Sequence, residues 1–183
     1  MSEKIDVEFS SAYRLLHPMH TVLVSCATES GKPNVLPLAW VMPTSRNPAL
    51  VAISVAPSRH SHGFIEETGE FVVNIPTIEI IRKTLACGRT SGKNIDKFAE
   101  TGLTPLPARI AKAPIIKECV AHLECKLHSQ FKTGDHTIFV GEVVAAYANK
   151  GIFTDKYNIH EAKMLYHLGG NVFATLNPKL YIP

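Results

Sequence analysis

Glycine and proline cut this chain into apolar segments too short for anything but strands and brief helices. There are 11 Gly and 12 Pro. The longest apolar runs between them, such as residues 50–55 and 143–147, fall far short of the roughly 20 residues that span a bilayer. Short runs bounded by turn residues read as strands. Residues 21–28 form one, 29–33 its hairpin turn and 34–42 the return strand. Pro37 requires an edge position or a bulge in that strand, because it has no N–H for the ladder. Residues 50–55 and 70–75 follow as strands, and 117–132 and 137–147 form a long pair joined around Gly134 and Asp135. Three helices are expected between them: 61–68 with Ser61 as N-cap and Gly69 as the stop, 77–87 with Thr77 able to cap, and 94–101 ending at Gly102. Helices do not alternate regularly with strands, which argues against a doubly wound sheet. The pattern predicts a mainly β fold, a six- or seven-stranded antiparallel β-barrel with inserted helices.

With 183 residues, of which 45% are hydrophobic, a single domain over residues 1–183 can bury a sizeable core. The core of that domain is expected over about residues 13–170, followed by an irregular tail. A net charge of +3 is too small and dispersed for a nucleic-acid groove or a basic membrane anchor. The first eight residues alternate charged and apolar side chains without an apolar signal core, so the expected location is cytoplasmic.

Nine His and four Cys make metal binding the first chemistry to test. Cys26, Cys87, Cys119 and Cys125 contain no C-x-x-C pair, the spacing that turns two thiolates onto one zinc. On a strand with a period of two, Cys119 and Cys125 share the inward face but lie roughly 20 Å apart, as small buried hydrophobes. His122 and His128 share the outer face as solvated or cross-strand-paired residues. His60 and His62 have no evident third ligand, and no metal site is assigned.

The most chemically loaded stretch is Pro57-Ser58-Arg59-His60-Ser61-His62, where a strand end meets a helix start. Unpaired N–H groups at a helix N-terminus favour an anion, Arg59 can hold a phosphate with two parallel bonds, and Ser58 and Ser61 can each donate one. The competing reading is an ordinary N-cap at Ser61 beside a solvated Arg59. Lys97 could reach a phosphate or be a solvated helix lysine. Trp40, the sole Trp, and Asn34 are six residues apart and share a face if the strand is regular. They suit a planar ligand, although Trp40 also reads as core. His136, at the mouth of the hairpin, is either a turn residue or a donor to an anionic ring or phosphate. Neither a Walker A loop nor a three-glycine dinucleotide turn nor a Gly-x-Ser-x-Gly elbow is present.

In their order and spacing, several segments resemble those of one family. They are Asn34-Val35-Leu36-Pro37-Leu38-Ala39-Trp40, Pro57 to Ser61, Phe71-Val72-Val73-Asn74-Ile75-Pro76, Ser91-Gly92 through Asp96-Lys97-Phe98, and Gly134-Asp135-His136 leading to Phe139-Val140-Gly141-Glu142-Val143. From about Tyr13 to Gly170 the chain resembles the flavin reductase-like, FMN-binding split-barrel family, in particular its flavoredoxin branch. The resemblance implies a Greek-key split β-barrel and a homodimer with non-covalent FMN at or near the subunit interface. It implies that Ser58, Arg59, Ser61 and Lys97 surround the FMN phosphate and that Asn34, Trp40 and His136 lie around the ring and ribityl chain. Lys97 and His136 would stabilise an anionic reduced ring. At Ser61 the family often has Thr, which keeps the hydroxyl. Tyr166 to Asn171 match loosely, so no site residue is carried from them. The implied function is a flavin-dependent oxidoreductase with NADH, NADPH or a redox partner protein as electron donor. The alternatives are an FMN-holding electron-transfer protein without NAD(P)H turnover, and a pyridoxamine-phosphate-oxidase-like barrel, whose substrate motifs are not evident here.

Overall fold

The structure is a computed structural model that describes residues 2–182. A 3-10 helix, Phe9–Leu16, precedes twelve strands and three α-helices. In chain order these are β1 (Met19–His20), β2 (Val22–Ala27), β3 (Pro33–Leu38), β4 (Val41–Arg46), β5 (Ala49–Val55), α1 (His60–Thr68) and β6 (Glu70–Ile75). A 3-10 turn, Ile78–Ile80, leads into α2 (Ile81–Arg89) and α3 (Lys97–Thr101). β7 (Pro105–Leu106), β8 (Ile115–Ile116), β9 (Ala121–Thr133), β10 (His136–Ala148), β11 (Tyr166–Gly169) and β12 (Val172–Ala174) complete the chain.

Seven strands form one antiparallel sheet in the order β3-β2-β6-β9-β10-β5-β4. Its two edge strands, β3 and β4, are joined through only Ala39 and Trp40. Three Cα–Cα steps of about 3.8 Å reach no more than about 11 Å. The first and last strands of the sheet must therefore meet, and the sheet curls into a mainly β barrel that stays split between β3 and β4. Pro37 and Pro43 both lie on these edges, where a missing N–H costs no ladder bond. The expected single strand over 34–42 is thus two, broken at the seam, and the regular register that would have aligned Asn34 with Trp40 does not exist.

The barrel interior holds Val22, Val24, Ile53, Phe71, Cys125 and Phe139. Gly141 is required there: a Cβ on it would lie 2.6 Å from Phe71 Cζ. A second cluster, with Leu23, Val35, Cys87, Phe98, Ile116 and Cys119, lies between the outer face of β2 and β3 and the helices α2 and α3. Cys119 precedes β9 and packs in this outer cluster, so it does not share the inward face of Cys125 as the alternation predicted.

The outer face of β9 is also covered. Glu124 is fully buried and accepts the backbone N–H groups of Arg109, Ile110 and Ala111 at 2.8, 2.7 and 2.9 Å, together with the Tyr147 hydroxyl at 2.7 Å. Burial opposes its charge, but these donors outweigh it and hold the carboxyl below the usual range. His122 pairs across strands with Asn74 and donates from Nδ1 to Asn74 Oδ1 at 2.8 Å. Of the two arrangements expected for His122, cross-strand pairing is the one observed, and the residue is buried.

α2 and α3 begin later than the sequence implied, whereas α1 matches the expected 61–68 to within one residue. Thr77 makes no capping bond. The segment from Asn94 becomes helical only at Lys97, where the Asp96 carboxylate caps Phe98 and Ala99. β1, β11 and β12 form a separate three-stranded sheet beside the barrel. Among the described residues no helix is long and apolar enough to cross a membrane.

Candidate cofactor site

The junction between β5 and α1 forms one wall of a small pocket of about 110 Å³, lined by Asn34, Ser58, Arg59, Ser61 and Lys97 among others. Arg59 occupies the N-cap position of α1, and no side chain caps that turn. The His62 N–H bonds the Arg59 carbonyl at 2.9 Å, which leaves the N–H groups of His60 and Ser61 for a ligand. Ser61 is not the N-cap. It sits inside the first turn, buried, where its Oγ accepts a hydrogen bond from Asn34 Nδ2 at 2.8 Å. On the far side Gly92 presses against the same amide, and a Cβ there would land inside the Asn34 carboxamide. Glycine at 92 is therefore a condition for the Asn34–Ser61 bond.

Lys97 is not a solvated helix lysine. It is 5% exposed, and its Nζ donates to the carbonyls of Val35 at 2.9 Å and Cys87 at 2.7 Å. An ammonium has three N–H donors, so one remains for a ligand in the pocket. Burial pushes its pKa below the usual lysine range, and Arg59 nearby adds to the effect. The surrounding thiols are neutral, with burial raising Cys26 to about 12 and also raising Cys87.

A larger cleft of about 590 Å³ adjoins this pocket and contains Trp40 and His136, within the range of about 300–1,000 Å³ usual for ligand sites. Trp40 sits at the barrel seam with 36% of its surface exposed, so it is not a core residue. Its ring lies 4.7 Å from that of His136 at an interplanar angle of 36°, and Tyr13 meets it edge-on at 5.6 Å. His136 bonds through Nδ1 to the Asp135 carboxylate at 2.7 Å, and that bond holds Asp135 below the usual carboxylate range. Leu36, Arg59 and Gly88 line both cavities. The structure thus brings Asn34, Ser58, Arg59, Ser61 and Lys97 together at one end and Trp40 and His136 at the other.

Several lining residues have no counterpart in the sequence reading. Thr84, Leu85 and Arg89 come from α2, Tyr13 from the N-terminal 3-10 helix, and His167 and Phe173 from the β11–β12 pair. The hydroxyls of Thr21 and Thr84, both cleft residues, are buried without a partner. A flavin mononucleotide combines one phosphate with one planar ring system edged by polar atoms. The uncapped helix start, the guanidinium and the ammonium fit the first, and the aromatic wall with two unpartnered hydroxyls fits the second. Among the described residues no three His, Cys, Asp or Glu side chains gather as a metal cage.

Residues 13–173 match the flavin reductase like domain family. An uncharacterised protein of Archaeoglobus fulgidus is 36% identical over 168 residues, covering 92% of this chain and 94% of its own. A flavin reductase of Pseudomonas putida is 31% identical over 141 residues, 76% of this chain and 78% of its own. The flavoredoxin of Methanosarcina acetivorans superposes with a TM-score of 0.87 at 29% identity, over 99% of this chain and 95% of that one.

Proposed function

The chain belongs to the flavin reductase-like domain family, and on that premise we propose that it is an oxidoreductase that binds FMN without a covalent bond. It would pass electrons between NADH, NADPH or a redox partner protein and an acceptor. The observation that carries this reading is the continuity of a cationic pocket with an aromatic cleft through Leu36, Arg59 and Gly88. When bound, FMN supplies reversible electron transfer that no side chain here provides.

The roles of the chain's own residues follow from their placement. Arg59, Ser58, Ser61 and the first N–H groups of α1 hold the phosphate, with Lys97 adding positive charge behind them. Asn34 orients Ser61 by its hydrogen bond. Trp40 supplies a flat apolar face at the seam, and Thr84 a hydroxyl for a polar edge. Asp135 engages His136 Nδ1, which leaves Nε2 as the nitrogen available to a ligand.

The chain is further proposed to act as a homodimer. Phe9, Leu15 and Leu16 are 97%, 71% and 72% exposed on the same 3-10 helix that brings Tyr13 to the cleft, and a second copy would cover them.

Purified protein mixed with FMN and passed through a desalting column should retain the visible flavin absorption. Anaerobic NADH or NADPH should then bleach it. Bleaching by dithionite alone would favour the electron-transfer alternative, which the likeness to a flavoredoxin also supports. A chain that emerges colourless would overturn the reading.

A further inference from the structure

Arg59 and Arg89 both line the large cleft, but only Arg59 also lines the small pocket. Arg89 is the last residue of α2, and among the described residues no carboxylate pairs with it. A cofactor phosphate seated by Ser58, Arg59, Ser61 and Lys97 leaves the Arg89 charge unused. Asp135, the carboxylate on the cleft wall, is engaged by His136. Arg89 is exposed where it lines the cleft, and an unpaired guanidinium there draws anions toward it. Its planar fork also matches a carboxylate with two parallel bonds.

The same cleft offers ring surfaces not needed to hold a phosphate. Trp40 and His136 are taken by the flavin ring in the reading above, and His167 and Phe173 supply a further pair of rings, centroids 5.0 Å apart, on the β11–β12 side of the cleft. Planar surfaces together with a free guanidinium define a ligand chemistry, namely a flat aromatic body carrying a negative group.

We propose that Arg89 anchors a second ligand in the cleft, a planar aromatic substrate bearing a carboxylate, and so selects anionic over neutral aromatic molecules. This rests on the cofactor reading above, because the cofactor phosphate must occupy the Arg59 pocket for Arg89 to remain free.

The test uses the FMN-loaded protein titrated with 2-naphthoate and with its neutral isostere 2-naphthamide, following perturbation of the flavin spectrum. The wild type is expected to bind naphthoate at least about tenfold tighter than naphthamide, since one charge-assisted bidentate contact is worth more than a neutral one. Arg89→Gln should bring the two affinities together while FMN affinity stays unchanged, and Arg89→Lys should restore part of the difference. Equal binding of the two ligands by the wild type, or a preference that survives Arg89→Gln, would overturn the proposal. So would loss of FMN in Arg89→Gln, which would place Arg89 in the cofactor seat instead. A wild type that takes up no FMN would fail at the earlier step and overturn the cofactor reading itself.

Discussion

Asn34 donates its side-chain N–H to the Oγ of Ser61 across 2.8 Å, tying the edge strand β3 to the first turn of α1. Gly92 lies against the carboxamide from the opposite side, with no room for a Cβ. Gly92→Ala is therefore expected to dislodge Asn34 and leave Ser61 without its orienting partner. The cost of a buried polar group without a partner is about 1–3 kcal/mol, so FMN affinity should fall by about tenfold or more. Fluorescence titration of FMN measures this, and circular dichroism should show the barrel intact.

A second hydrogen-bonded chain joins the two ends of the site. The His62 ring is buried, with Nε2 2.9 Å from Thr137 Oγ1 and Nδ1 3.2 Å from the Glu66 carboxylate. His62 follows Ser61 and Thr137 follows His136, so this bridge sets the spacing between the phosphate end and the ring end. Thr137→Val keeps the shape but removes the partner of Nε2. It is expected to lower stability by about 1–3 kcal/mol in urea unfolding. It should also weaken FMN binding, whereas Thr137→Ser should restore both.

Stability should depend on pH through His122. Burial lowers its pKa from 6.5 to about 4, so the folded state keeps it neutral where the unfolded chain is already protonated. The unfolded state binds more protons in that window. Stability is therefore full above pH 6.5 and is lost as the pH falls toward 4, by up to about 3 kcal/mol. Urea unfolding between these two values should show the decline, and His122→Gln should flatten it.

The exposed residues Phe9, Leu15 and Leu16 give the homodimer a direct test. Sedimentation equilibrium is expected to report twice the chain mass, and the double variant Leu15→Asp, Leu16→Asp to shift it toward one chain. A wild-type mass of one chain at micromolar concentration would contradict the pairing.

Legibility in the sequence was uneven for physical reasons. Six of the seven barrel strands were readable because Pro37 and the glycine-bounded turns mark edges and hairpins, while β4 was merged into the strand expected over 34–42. The break at Ala39 and Trp40 was not readable, since it follows from closing the sheet and leaves no turn residue behind. Ser61 read as a cap because hydroxyls favour that position. Its real partner, Asn34, is 27 residues away, and no local pattern reports such a contact. His122 and Glu124 alternate with apolar residues as a solvated face does, yet the segment around Arg109 to Ile116 covers them. Arg59 and Lys97 were identified by their residue types at a helix start and by resemblance. Arg89, His167 and Phe173 gave no signal, because only the folding of α2 and the β11–β12 pair against the seam brings them to the cleft.

The central claim is that one phosphate seat and one ring cleft together hold FMN, and comparing FMN with riboflavin tests it most directly. The two ligands differ only by the phosphate, so equilibrium titration of the wild type isolates the seat. FMN is expected to bind at least about 100-fold tighter than riboflavin, about 2.7 kcal/mol, as two charge-assisted bonds would give. Arg59→Ala should close most of that gap. Equal affinities for the two flavins, or binding of neither, would contradict the account.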